Sequence, residues 1–177
     1  MAIDIQAFKV AMSQFATGVT VLTTRHEGQN AGITANAFCS VSLDPPLVLV
    51  CVDRRLSTHD AIAQSGIFAI NILSLLQMEW GDRFAGRYPA ILDRFDGIEF
   101  TTAVTGSPIL PGCLSWVDCT LRHAYEGGDH TIFVGEVVAV DVTGGDPPLL
   151  YHDRRWTQLA QDGPEAGSSW PEDRRRS

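Results

Sequence analysis

The 177-residue sequence predicts an α+β domain that is mainly β, an antiparallel, Greek-key-like barrel with helices packed outside it. Three observations carry the prediction. Two long β-rich segments, Leu114–Tyr125 and Thr131–Val142, are joined by Glu126-Gly127-Gly128-Asp129-His130, which reads as a hairpin. Shorter β-branched runs precede them, and segments of helical period are inserted between those strands. A hydrophobic content of 45% is enough for one packed core, expected over residues 1–160.

Taken in order, Ile5, Phe8, Met12 and Phe15 recur at helical spacing behind Asp4, a side chain able to accept from the first backbone amides. Val19-Thr20-Val21-Leu22-Thr23-Thr24 is β-branched, His26 to Asn30 reads as a turn, and a second strand is expected from Gly32 to about Ser42. Asp44-Pro45-Pro46 must stop it, because proline cannot donate to a ladder. Leu47 to Val52 is an unbroken apolar run, expected to be central in the sheet and covered on both faces. Ser57 is expected to cap a helix over Thr58–Gln64 that Gly66 stops, followed by a strand over Ile67–Leu73. Ser74 starts a helix through Leu75, Met78, Trp80 and Phe84 to near Gly86, and Arg87 to Gly97 reads as a loop. Ile98–Ala103 is a further strand candidate. Beyond Leu159 the small and polar residues 162–169 predict a disordered tail, assigned to 161–177.

A net charge of −8 argues against nucleic acid or an anionic membrane as partner, since both reward clustered Lys and Arg. The one basic run, Arg174 to Arg176, follows Glu172 and Asp173 in the tail. No basic and apolar leader opens the chain and no apolar run nears the ~20 residues of a membrane span, so a cytoplasmic protein is expected. Four cysteines, at 39, 51, 113 and 119, form no C-x-x-C pair and read as reduced thiols, mostly buried. Neither G-x-G-x-x-G nor G-x-x-x-x-G-K-[ST] supplies a phosphate cradle, and five scattered histidines give no metal pattern.

The segment Thr34-Ala35-Asn36-Ala37-Phe38-Cys39-Ser40-Val41-Ser42 mixes small residues, hydroxyls and an amide. It suits a wet edge strand equally well as a surface on which a planar ligand lies against backbone amides. Ser57-Thr58 fits a plain helix cap and also a phosphate site, for which Arg54 and Arg55 would supply charge. His130 sits either on a solvated turn or where the next strand opens toward a pocket.

At these residues the sequence resembles the flavin reductase-like family, the short-chain NAD(P)H:flavin oxidoreductases that act as reductase components of two-component flavin monooxygenases. The motifs are Phe15-Ala16-Thr17-Gly18-Val19-Thr20-Val21, Ala35-Asn36-Ala37-Phe38-Cys39-Ser40-Val41-Ser42-Leu43-Asp44-Pro45-Pro46, Ser57-Thr58, Gly128-Asp129-His130 and Pro148-Leu149-Leu150-Tyr151. They span about Phe8 to Leu159. The resemblance implies an FMN-binding split barrel, usually a homodimer, that uses NADH or NADPH to reduce FMN or FAD for a partner monooxygenase. It would set Thr34, Ala35, Asn36, Ser40 and Val41 beside the isoalloxazine, and Asp53, Ser57 and Thr58 at the ribityl phosphate. His130 would contact nicotinamide, Phe84 would cover the flavin's surroundings, and Arg154 would meet the pyridine nucleotide. Two other functions share this barrel: a flavin-binding protein without turnover, and a flavoenzyme reducing another acceptor.

Overall fold

The computed structural model describes residues 3–160; the expected tail disorder, Trp170 and Arg174–Arg176 lie outside them. Helix α1 (Ile5–Ser13) is capped as expected, Asp4 Oδ1 accepting from Gln6 N at 2.9 Å. Its apolar side is not covered: Ile5, Phe8, Met12 and the following Phe15 are each more than half exposed.

Strands β1 (Thr17–Gly18) and β2 (Thr20–His26) follow, and a turn with Glu27 and Gly28 at positive φ leads into β3 (Gln29–Ala35). The single strand expected from Gly32 to Ser42 is two strands. It breaks at Asn36-Ala37, and β4 (Phe38–Leu43) pairs not with β2 but with β5 (Pro46–Asp53). A bulge at Val41 bends β4, and the Asp44–Pro45 peptide in the β4–β5 turn is cis.

Helix α2 (Ser57–Ser65) begins one residue earlier than expected, with Leu56 in the N-cap position and no side chain capping it; Gly66, left-handed at φ 69°, ends it. Strand β6 (Ile67–Ile72) leads to a 3-10 turn (Leu75–Gln77), where Gln77 Oε1 accepts from Ser74 N at 2.9 Å, and to α3 (Met78–Phe84). The strand expected at Ile98–Ala103 shrinks to β7 (Thr101–Thr102), paired with β8 (Pro108–Ile109), because Ile98 turns inward to pack with Phe95 and Phe84. The long hairpin is present as β9 (Ser115–Gly127) and β10 (His130–Val142), and β11 (Leu150–His152) and β12 (Arg155–Thr157) close the described chain.

Seven strands form one antiparallel sheet in the order β3-β2-β6-β9-β10-β5-β4. β3 and β4, consecutive in the chain, are thus its two edges, and the two-residue link between them brings those edges together. Where β4 stops, Cys51 N donates instead to Ala37 O across the link at 3.0 Å. The result is a barrel with a seam. Inside it pack Leu22, Ile33, Val50, Phe68, Ile70 and Phe133, joined by Ile62 from α2. Outside β2 a second cluster, Val19, Val21, Leu73, Phe84, Phe95 and Leu149, lies under α3 and the 87–98 loop.

The strands covered on both faces are therefore β2 and β6, not Leu47–Val52. β5 lies next to an edge, with Val48, Val50 and Val52 buried and Leu47, Leu49 and Cys51 only partly covered. An apolar run shows that both faces are apolar, not that one chain covers both. β2 keeps three threonines inside by giving each hydroxyl an acceptor: Thr20 to Ala35 O at 2.7 Å, Thr23 to Pro108 O and Thr24 to Ile67 O at 2.7 Å.

Candidate functional site

The seam is where the fold leaves binding groups unused. As an edge strand, β3 has no strand on its outer side among the described residues, so backbone N–H and C=O groups there face whatever lies in the seam. One such carbonyl is occupied: Arg94 Nη1 donates to Gly32 O and to Phe84 O, both at 2.9 Å. Arg94, the uncapped start of α2 (Leu56, Ser57, Thr58) and Asn30 to Ile33 of β3 enclose a polar cleft of about 240 Å³. Asn30 Oδ1 is buried there without a hydrogen-bond partner.

At the other end of β3 a cavity of about 550 Å³ opens between Phe15, Asn36, Phe38, Cys39, Leu49 and Cys51. Asn36 also borders a cavity of about 190 Å³ with Arg87, Tyr151 and Trp156, and one of about 380 Å³ with Lys9, Tyr151 and Arg154. Trp156 Nε1 and Arg87 Nη1 both donate to Asp82 Oδ1 at 2.7 Å, and the Arg87 guanidinium lies 5.0 Å from the Trp156 ring centroid. This clamp holds the β11–β12 hairpin against α3.

The fold brings Asp53 and His130 together with the start of α2. His130 is the register partner of Asp53 across β10 and β5, and its Nδ1 lies 2.8 Å from Asp129 Oδ1. That hydrogen bond lowers the Asp129 pKa. Arg55 donates Nε to Asp53 Oδ1 at 3.0 Å and Nη2 to Oδ2 at 2.6 Å, and its backbone amide also donates to Oδ1. The Arg55 side-chain hydrogen bonds, then its backbone one, hold the Asp53 carboxyl well below the usual carboxylate range. A carboxylate depressed on folding contributes stability above its unfolded pKa of about 4 and loses it as pH falls below that. Asp53→Asn should therefore lower Tm at neutral pH by an amount that shrinks below about pH 4. Thermal melts giving a gap independent of pH would rule out the ion pair as its cause.

The other sequence-nominated residues are spread along the seam or lie off it. The Thr34 hydroxyl donates to Gly81 O at 2.7 Å, and Ala35 is buried with its carbonyl taken by Thr20. Ser40 and Val41 are exposed on β4 beside Cys39. Phe84 is 1% exposed, edge-on to Phe95, and presents no face to a ligand; a Cβ on Gly32 would meet its ring at 2.9 Å. It supports the backbone of β3 rather than touching what lies on it. Arg154 stands about the far cavity at φ 61°, apart from His130 and Ser57. Arg54 and Arg55 do not serve α2: Arg54 lies 3.7 Å from Glu126, and Arg55 is folded onto Asp53. Arg94, unnoticed in a stretch that reads as loop, brings the cation there instead. Its acceptors are backbone carbonyls far off in sequence, and no local pattern announces them.

Burial pushes the Cys113 thiol up to about 11 and, with Asp118 beside it, the Cys119 thiol up to about 12. Cys51 is partly covered and Cys39 exposed, so half the cysteines are buried rather than most.

A seven-stranded barrel left open along one seam, with helices outside, is the frame of the split-barrel flavin reductases, and the fold puts the chain in that class. Residues 12–160 match the flavin reductase like domain, and the chain belongs to that family. It is 38% identical over 161 residues to the reductase subunit HsaB of a flavin-dependent monooxygenase from Rhodococcus jostii (strain RHA1), covering 91% of this chain and 81% of that one. Its structure superposes on the flavin reductase PheA2 with a TM-score of 0.83 at 40% identity, covering 90% of this chain and all of that one. For SgcE6, an NADH:FAD oxidoreductase from Streptomyces globisporus, the TM-score is 0.83 at 33% identity, covering 92% and 99%.

Proposed function

We propose that this chain is the reductase component of a two-component oxygenase system, taking electrons from NADH or NADPH, reducing FMN or FAD and releasing the product to a monooxygenase. The observation that carries the reading is the polar cleft on the outer edge of β3. An uncapped helix start and Arg94 offer amides and positive charge to a phosphate, and the partnerless Asn30 amide suits a sugar hydroxyl. These residues fit a ribityl phosphate, with the ring toward Asn36. Asn36, just past the end of β3, stands four residue steps from Gly32, roughly 13 Å at the rise of a strand, about the reach of such a chain from its ring.

The hydride passes between the two bound ligands, so the protein's part is positional. Edge amides of β3 address the polar rim of one ring, and His130, fixed by Asp129 beside Asp53, orients the other. Open cavities on a seam suit a ligand that must leave after each turnover. Oxidation of NADH and NADPH, followed by absorbance with FMN, FAD or no flavin, tests the reading. Turnover that saturates in flavin supports it, and tight flavin binding without nicotinamide oxidation would favour a flavin store instead. His130→Ala should raise the KM for the nicotinamide roughly tenfold while flavin affinity stays within about twofold. Unaltered nicotinamide kinetics would remove His130 from the site.

A homodimer completes the proposal. Its support is the uncovered apolar side of α1, which a second copy would bury. Phe8→Asp with Met12→Asp should leave a folded protein of half the mass by light scattering; an unchanged mass would place the dimer contact elsewhere. No described helix is long and apolar enough to cross a membrane. The four unpaired cysteines suit a reducing compartment, and we place the reaction in the cytoplasm.

A further inference from the structure

Among the described residues, one side-chain hydrogen bond joins α2 to β10. The helix packs against β2 and β3, yet His59, in its first turn, reaches across to β10, where its Nε2 lies 2.9 Å from Thr131 Oγ1. Its other ring nitrogen, Nδ1, lies 3.0 Å from Asp60 Oδ1. An ionised carboxylate only accepts, so Nδ1 carries the proton, and in the neutral ring Nε2 accepts from the Thr131 hydroxyl. The imidazole is 15% exposed and its centroid lies 5.2 Å from that of Phe133, so packing and two hydrogen bonds fix its orientation.

The bridge has the start of α2 at one end and His130 at the other. Ser57 and Thr58 immediately precede His59, and Thr131 immediately follows His130. Successive side chains of a strand point to opposite faces, so Thr131 turns toward His59 with Phe133 while His130 turns away. A bond that holds Thr131 therefore holds the peptide that aims His130. Backbone ties run beside it, Arg54 N donating to Asp129 O at 3.0 Å and Asp53 pairing with His130. Those secure the segment before the helix; His59 secures the helix itself. An aliphatic side chain would fill the same space against Phe133, but only an acceptor ties α2 to Thr131.

We propose that His59 is a positioning residue that couples the two ligand sites, so that a flavin phosphate bound at the start of α2 tightens nicotinamide binding at His130. The inference rests on the reading above, which puts the phosphate at α2 and the nicotinamide at His130. Coupling of this kind is reciprocal: nicotinamide at His130 equally tightens the hold on the phosphate.

Steady-state oxidation of NADH by the whole chain, at saturating FMN or saturating riboflavin, tests the proposal, because riboflavin has no phosphate to engage α2. In the parent protein the KM for NADH should be roughly fivefold lower with FMN than with riboflavin, within the range one hydrogen bond supplies. His59→Ala should raise the FMN value to the riboflavin one, while kcat changes by less than about twofold and the riboflavin value holds. His59→Gln, whose amide oxygen can accept from the same hydroxyl, should restore the difference. Thr131→Val should abolish it as His59→Ala does, with no further loss in the double variant. Equal KM values for NADH with the two flavins in the parent would overturn the proposal, as would equal shifts with both in His59→Ala or additive losses in the double variant. A parent protein that oxidises no NADH with either flavin would overturn the reductase reading itself, a result distinct from an active enzyme without coupling.

Discussion

Gly135→Val should yield no soluble folded protein, and Gly135→Ala should lower stability by about 2–3 kcal/mol, near the upper end for overpacking a core. Gly135 lies on β10 inside the barrel, opposite Val48 on one side and Leu121 on the other. A Cβ there would stand 2.8 Å from Phe68 Cε1 and 2.9 Å from Cys119 Cβ, and both neighbours are completely buried. The Phe68 ring is fully buried within the barrel core, and a Cβ anchored on β9 cannot rotate away. A register shift between Val134 and Gly135 already marks how closely the strands approach. Urea denaturation of the alanine variant measures the effect, and an unchanged midpoint would mean that the ladder yields by several tenths of an ångström at no cost. At about 2–4 °C per kcal/mol for a chain of this size, Tm should fall by roughly 5–10 °C.

Ser57→Asp should separate stability from binding by moving them in opposite directions. Ser57 is exposed in the first turn of α2, where a carboxylate meets the positive end of the helix dipole, so Tm should stay level or rise slightly. The same carboxylate would repel a phosphate at the helix start. Two like charges near 4 Å oppose each other by about 4 kcal/mol at the effective dielectric of a protein surface, and solvent screening reduces this to a rise in Kd of roughly ten- to a hundredfold for FMN or FAD. Riboflavin, which has no phosphate, should bind the variant as it binds the parent. Equal losses for riboflavin and FMN would move the phosphate away from α2.

How much of this could be read from the sequence follows from the range over which each signal acts. Hairpins and helix stops are local: Gly128 in the β9–β10 turn, Gly66 after α2 and Asp4 before α1 all sit where the residues alone placed them. What escaped depends on partners distant in sequence. The break at Asn36-Ala37 is invisible locally because both flanking stretches are extended; only their pairing, β3 with β2 and β4 with β5, separates them. Ser57 looked like a cap because its type favours caps, but the chain turns one residue earlier, after Asp53 has bound the backbone of Arg55. Phe84 carries an aromatic ring in a suggestive place, yet a ring packed edge-on to Phe95 beneath Gly32 is settled by three segments meeting. For the candidate site, the sequence nominates residues from separate segments, and the edge that gathers some of them along the seam is set by strand pairing that no local stretch displays.

The link between β3 and β4 bears on how the molecule avoids its own aggregation. A flat sheet of seven strands would offer two exposed edges to other chains, the usual route to intermolecular strand addition. Here three peptide units span Ala35 to Phe38, a reach of at most about 11 Å, so the sheet cannot lie open while its inner pairings are made. Connectivity alone rolls it up and tethers each vulnerable edge to the other. Most sheet proteins guard such edges with charged or proline-bearing side chains; here neither edge strand carries a charged residue or a proline, and closure does the guarding instead.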